Sequence, residues 1–132
     1  MPADRPAAVR LVLPLPPDFS NARRHWRVQL AAKKAYWEQL NLLLAARQIE
    51  APPRVPIRRA RVTATLYVWS VLDLDNAFAR LKWALDWLVG HGYIADDNPR
   101  VLRWEHTPRQ IVDRQNRRVE LVLTPLAEAR TT

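Results

Sequence analysis

Four aspartates could support metal chemistry in this chain, because they fall in two pairs at predicted element boundaries. Asp73 and Asp75 follow an apolar, β-branched run and open a helical pattern, and Asp96 and Asp97 come just after that pattern ends. Mg²⁺ takes oxygen ligands, and paired carboxylates at loop ends supply them. Aspartate is also a preferred N-cap and turn residue, so the same positions are explained by local structure alone. The pattern leaves both interpretations open.

A polar stripe on the helix between the two pairs adds a lysine to these candidates. At roughly 100° per residue, Asp75, Ala79, Lys82 and Asp86 fall on one narrow stripe. Apolar residues border the stripe on both sides, which favours a cleft or an interface over open water. The bordering residues are Phe78, Leu81, Leu85 and Leu88 on one side and Trp83 and Trp87 on the other. The alternative is an exposed Lys82–Asp86 pair at i,i+4 spacing, worth roughly a few tenths of a kcal/mol.

The elements that must position these residues follow from the apolar pattern. Residues 8–15, 61–69, 101–106 and 118–123 have strand composition, and the polar residues 108–117 are predicted to join the last two strands as a hairpin. Residues 22–48 lack proline and glycine and predict a long amphipathic helix, and a second helix runs from Asp73 to about Val89. The order β-α-β-α-β-β predicts one α/β (α+β) domain over residues 1–132, ordered over about 8–124, with a small mixed sheet packed by two helices.

Composition narrows the class of partner. The chain has 132 residues, a formal net charge of +8 and 21 Lys plus Arg against 13 Asp plus Glu, which indicates a polyanion, most often nucleic acid. It contains no cysteine, and its two glycines exclude glycine-rich phosphate loops. No signal-peptide pattern and no apolar run of about 18 residues occurs, so we expect a cytoplasmic protein without a membrane partner.

The basic residues are spread over three segments rather than gathered in one run. Spread in this way they could line a broad face that neutralises phosphates, although many could equally be ordinary solvated surface. The six tryptophans, where they fall at helical spacing, are expected in the core or at a dimer contact rather than as base-stacking platforms. The basic residues are Arg23, Arg24, Arg27, Lys33 and Lys34; Arg58, Arg59 and Arg61; and Arg100, Arg103, Arg109, Arg114, Arg117 and Arg118.

Taken together, the motifs resemble the RusA-type Holliday-junction resolvases, small endonucleases common in prophages. The resemblance covers about residues 8–124. It rests on a strand followed by Leu15-Pro16-Pro17 and a Ser20-Asn21 loop, on Asp73-Leu74-Asp75-Asn76, on Lys82 with Leu85-Asp86-Trp87-Leu88, and on Gly92-Tyr93-Ile94-Ala95-Asp96-Asp97. The predicted element order agrees with that family's fold.

The resemblance implies a Mg²⁺-dependent, homodimeric nuclease that introduces paired nicks across a four-way DNA junction in recombination and repair. By analogy, Asp73, Asp75 and Asp97 are the metal-site carboxylates, Asp96 is a further candidate ligand, and Mn²⁺ is expected to substitute for Mg²⁺. The family's catalytic lysine lies four residues after the second aspartate, where this chain has Ala79. Alignment from Asp86 and the Asp-Asp pair assigns the role to Lys82. Phosphate contacts beside the site are expected from Asn21, Arg23, Arg24, Arg27 and Asn76.

Three interpretations of function therefore stand at the level of sequence. The first is a junction-resolving endonuclease, and the second is a branched-DNA-binding protein that has lost cleavage, which the shifted lysine allows. The third is a basic RNA- or ribosome-associated protein, which explains the charge but not the clustered carboxylates. Because unscreened carboxylates beside a phosphate would weaken binding, retention of all three aspartates favours the first.

Overall fold

Two helices and five strands make up the described part of the chain. The computed structural model describes residues 7–17 and 26–127. The prediction of a single mixed α/β domain, a small mixed sheet packed with two helices, is confirmed. In chain order the elements are β1 (Val9–Pro14), α1 (Trp26–Ala45), β2 (Ala60–Val68), α2 (Leu74–Gly90), β3 (Leu102–Trp104), β4 (Arg109–Val112) and β5 (Arg118–Pro125).

Strand β2 is central because it is paired along both edges. Strand β5 pairs antiparallel with one edge of β2, in a register that sets Leu66 opposite Val119, and β1 pairs antiparallel with the far edge of β5. The other edge of β2 takes β3 and then β4, both parallel to it. The sheet order is therefore β1-β5-β2-β3, with β4 continuing along the β3 side.

The predicted hairpin between the last two strands is wrong. Residues 108–117 contain β4, whose Arg109 lies opposite Thr65 of β2, and β3 pairs with β2 rather than with β5. Strand β5 alternates Val119, Leu121 and Leu123 towards the core, so it is stabilised between two long strands. The short strands β3 and β4 are left to share the remaining edge of β2, which the sequence order alone does not indicate.

Both helices cover one face of the sheet. Every second residue of β2 is buried, from Ala60 to Val68, and β1 and β5 bury the matching face. On α2 the buried face carries Leu81, Ala84 and Leu88, so the predicted polar stripe lies on the side turned away from the sheet. Among the described residues, no helix is long and apolar enough to cross a membrane.

Helix α1 ends earlier than predicted. Its last helical residue is Ala45, and Arg47 adopts the left-handed conformation with φ of 57°. The amide of Gln48 donates to the carbonyl of Leu43 at 2.9 Å, and that of Arg47 to Leu44 at 3.1 Å, which is the Schellman arrangement that closes a helix. Residues 22–25 of the predicted helix lie outside the described part of the chain. At the other end, Trp26, one of the tryptophans expected in the core or at a dimer contact, is exposed.

Trp87 joins the two helices and should dominate the stability of the fold. Its ring is 1% exposed, stacks on His91 with centroids 4.1 Å apart, and donates from Nε1 to Asn41 Oδ1 of α1 at 2.9 Å. We expect Trp87→Ala to lower the free energy of unfolding by about 3–5 kcal/mol, because it leaves a cavity and an unpaired amide. Urea denaturation at neutral pH measures this effect.

The exposed Trp69 offers a matched control. Trp69→Ala should cost less than about 1 kcal/mol, since it removes surface contacts only. Equal losses for the two variants would contradict the assignment of Trp87 to the core.

Candidate functional site

Asp73 is the N-cap of α2. Its Oδ1 accepts a hydrogen bond from the amide of Asn76 at 2.9 Å, and its carbonyl accepts from the amide of Ala77 at 2.9 Å. The local interpretation of this aspartate is therefore correct, and a cap carboxylate also suits the positive end of the helix dipole. Asp75, in the first turn of α2, is exposed.

Strand β4 fixes the turn that leads into this cap. The side-chain amide of Gln110 donates to the carbonyl of Leu72 at 2.8 Å and accepts from the amide of Leu72 at 2.7 Å. Gln110 thus forms hydrogen bonds with both the amide and the carbonyl of the residue before Asp73. The sequence analysis missed this residue because it assigned residues 108–117 to a hairpin loop. The usable signal was the strand composition of Ile111 and Val112 beside it.

The turn after α2 divides the second aspartate pair by role. Asp96 accepts from the amide of Asp97 through Oδ1 at 2.7 Å and from Asn98 Nδ2 through Oδ2 at 3.0 Å. Both oxygens of Asp96 therefore shape the turn, and Asn98 extends it by accepting from the amides of Arg100 and Val101. The carboxylate of Asp97 points instead towards α2.

Lys82 connects the second aspartate pair to the helix. Its Nζ lies 2.8 Å from Asp97 Oδ2 and 3.1 Å from Asp86 Oδ1. Asp86 in turn lies 3.6 Å from Nζ of Lys33, which belongs to α1 and sits 4.6 Å from the centroid of the Trp37 ring. We call these four side chains, Lys33, Asp86, Lys82 and Asp97, the charge chain.

Two neighbouring members of the charge chain, Lys82 and Asp97, have pKa values that are shifted in opposite directions. The hydrogen bond from Lys82 holds the pKa of Asp97 below its usual value, although partial burial opposes this. The hydrogen bonds to Asp97 and then to Asp86 raise the pKa of Lys82. At neutral pH Lys82 is therefore a cation and Asp97 an anion, so Lys82 can stabilise negative charge or donate a proton but cannot act as a base.

Not all predicted site residues are brought together. Within residues 7–17 and 26–127, no group of three or more His, Cys, Asp or Glu is placed so that it could hold a metal ion. Lys82 and Asp97 are in contact, whereas Asp73 serves as the N-cap of α2 and Asp75 is exposed in its first turn. The donor type therefore fits Mg²⁺, since all are carboxylates, but the described side chains do not gather three of them around one point.

The predicted phosphate contacts are only partly described. Asn21, Arg23 and Arg24 lie outside the described residues. Arg27 is exposed at the start of α1, with its guanidinium carbon 5.4 Å from the centroid of the Trp26 ring. Asn76 lies next to Asp75, and its backbone amide donates to the N-cap carboxylate of Asp73.

Comparison with known proteins adds no assignment to this geometry. No protein-family model matches the chain, and a search of curated proteins finds no significant match.

The Lys82–Asp97 contact predicts an acid-dependent contribution to stability. Because the pKa of Asp97 is lowered in the folded protein, its stabilisation is present above the ordinary aspartate pKa and is lost as the pH falls through the lowered value. We expect Asp97→Asn to cost up to about 1 kcal/mol at pH 7, discounted for exposure, and progressively less as acidification protonates Asp97. Urea denaturation of both proteins across this range measures the difference. A constant difference would contradict the ion pair.

Asp73 allows its cap role to be separated from any role of its charge. Asp73→Ala removes the cap acceptor and should lower the free energy of unfolding by about 1 kcal/mol, whereas Asp73→Asn keeps an acceptor and should be nearly neutral. Thermal denaturation compares the two variants. Equal destabilisation would show that the charge, rather than the hydrogen bond to Asn76, matters for α2.

Proposed function

We propose that this protein is a Mg²⁺-dependent endonuclease that cleaves four-way DNA junctions by paired phosphodiester hydrolysis, acting as a homodimer in the cytoplasm. The observation that carries the proposal is the contact between Lys82 and Asp97 at 2.8 Å. The resemblance to RusA-type resolvases assigns one residue as the catalytic lysine and the other as a metal-site carboxylate. The two come from different motifs, so their meeting supports the alignment that chose Lys82 over Ala79.

Charge supports a nucleic-acid substrate. The chain has a formal net charge of +8, and a strongly basic protein of this size attracts DNA through its phosphates. A four-way junction has approximate two-fold symmetry, and a symmetric dimer would present one site to each of two opposed strands.

The mechanism assigns separate work to the carboxylates and the lysine. The resemblance assigns the metal to Asp73, Asp75 and Asp97, which the described structure does not gather around one point, and Asp96 is kept in the turn by its own hydrogen bonds. When bound, Mg²⁺ supplies an activated water and charge stabilisation. Lys82 keeps its proton at neutral pH and can place its ammonium against a non-bridging oxygen or the leaving group. Lys82 also lies 3.1 Å from Asp86 Oδ1, so its ammonium has a carboxylate partner on α2 besides Asp97.

A second candidate function is structure-selective DNA binding without cleavage. It is favoured by one observation, which is that Lys82 already neutralises Asp97 while the described residues contain no ready three-carboxylate group. In this case the charge chain would hold the turn and α2 together and take no part in chemistry.

Cleavage of a labelled four-way junction tests the proposal. With Mg²⁺ we expect symmetrical nicks that disappear in EDTA, return with Mn²⁺, and are absent in Asp75→Asn. Lys82→Ala should cleave roughly a hundredfold more slowly or worse, because it removes a positive charge that acts on the transition state. A linear duplex of the same sequence controls for selectivity.

Glu38→Gln is the matched control variant. Glu38 is an exposed carboxylate of α1 outside the charge chain. Its replacement by glutamine removes one negative charge, as Asp75→Asn does, without touching the site. Junction binding without nicking under any divalent ion would overturn the endonuclease and support the second candidate. Cleavage unaffected by Lys82→Ala would reject the lysine assignment.

A further inference from the structure

An exposed tryptophan stands at the carboxyl end of the central strand, held by two arginines. Trp69 follows β2 directly and is 56% exposed. The guanidinium carbons of Arg114 and Arg117 lie 5.0 and 5.9 Å from its ring centroid. Arg114 also donates from Nε to the carbonyl of Trp69 at 3.1 Å. The loop between β4 and β5 therefore fixes a large flat ring at the surface.

The same two arginines line a polar groove. Its volume is about 430 Å³, and it lies beside the Pro-rich end of β1. Its polar lining consists of Gln39, Arg80, Arg114, Gln115, Asn116 and Arg117. A second depression of about 440 Å³ shares Asn116 and Arg117 and continues the surface towards β1 and β5. A single-stranded nucleic acid could therefore run from the Trp69 ring into the groove. It would pass no acidic side chain, because neither depression is lined by Asp or Glu.

The positive charge of the loop is not cancelled locally. Asp113, at the start of the loop, is 3.2 Å from Arg118 and accepts from the amide of Asn116 at 3.2 Å, so its carboxylate is already engaged. Within the described residues, neither Arg114 nor Arg117 forms an ion pair with a carboxylate. An uncompensated guanidinium pair beside an open groove favours a phosphate over a cation or an apolar ligand.

We propose that Trp69, Arg114 and Arg117 form a binding site for an unpaired nucleotide, whose base stacks at the exposed indole and whose phosphate enters the groove. Stacking on a fixed aromatic ring next to arginines suits a strand whose base is not in a duplex, since a paired base hides its faces. The shared chemistry is an unpaired base with its phosphate, from either DNA or RNA. The site requires neither metal nor the charge chain, so it does not depend on cleavage.

Fluorescence in EDTA tests the stacking contact directly. Titration with a dT12 oligonucleotide should quench the tryptophan emission of the wild-type protein. The quenching should be smaller in Trp69→Phe, because that variant lacks the indole on which the base stacks. A parallel titration with U12 shows whether the site also binds a ribo-oligonucleotide. A quenching curve that is the same in Trp69→Phe and wild type, with both strands, would overturn the proposal.

Anisotropy of labelled dT12 measures the energetic share of each residue. Trp69→Ala should weaken binding about tenfold, with Trp69→Phe in between, because stacking is worth on that order per base. Arg114→Gln and Arg117→Gln should each reduce the slope of log affinity against log salt by about 0.7. Arg54→Gln is the control, because Arg54 is exposed in the segment between α1 and β2, at the end of β2 opposite to Trp69.

A blunt duplex separates this site from general phosphate binding. We expect Trp69→Ala to leave duplex affinity within about twofold of wild type, since stacking energy is available only to an unpaired base. Equal losses on duplex and single strand, in a variant whose unfolding curve matches wild type, would overturn the assignment. Failure of junction cleavage leaves these results unaffected, so the two proposals fail separately.

Discussion

The pairing of β2 along both of its edges determines where the described candidate side chains of α2 and its two flanking turns lie. Because β5 holds one edge and β3 with β4 hold the other, the strand cannot shift register without losing its whole buried face. The chain leaves β2 at Val68, presents Trp69, and enters α2 at the Asp73 cap. Helix α2 then packs back over the sheet and carries Lys82.

The segment after α2 returns to the start of β2 and is held there by backbone hydrogen bonds. Ile57, just before β2, accepts from the amide of Ala95 at 2.9 Å and donates to the carbonyl of Tyr93 at 3.0 Å. These two hydrogen bonds fix the position of the turn after α2, and therefore the position of Asp97 next to Lys82. The charge chain adds little free energy, since partly exposed pairs are worth at most about 1 kcal/mol each. Its effect is geometric, because it gives Lys82 partners on two sides and limits where its ammonium can go.

The sequence indicated the elements better than their pairing. Alternation in residues 118–123 and the cap at Asp73 are local signals, so the strand and the start of α2 could be predicted closely. The partner of β5 is a long-range choice that depends on which strands bury matching faces, and the hairpin prediction failed there. The helical wheel found Asp86 and Lys82 together, but it could not show that Lys33 from α1 and Asp97 from a turn extend the pair. The pair of hydrogen bonds between Gln110 and Leu72 likewise joins residues that are far apart in sequence, so no local pattern could predict it.

If the protein binds DNA as proposed, neutralisation of Asp97 by Lys82 would remove an electrostatic conflict between a carboxylate of the site and the phosphates of the substrate. An unpaired carboxylate repels an approaching phosphate, and this repulsion grows as water is expelled between them. With Lys82 Nζ 2.8 Å from Asp97 Oδ2 the pair presents little net charge, so under the proposed function it would repel a phosphate less than an unpaired carboxylate does. In the proposed nuclease Asp97 would be one of the carboxylates that hold a metal, and Lys82, which also contacts Asp86 at 3.1 Å, would direct its ammonium towards the phosphate. The same lysine would thus lower the cost of DNA approach first and stabilise the reacting phosphate afterwards.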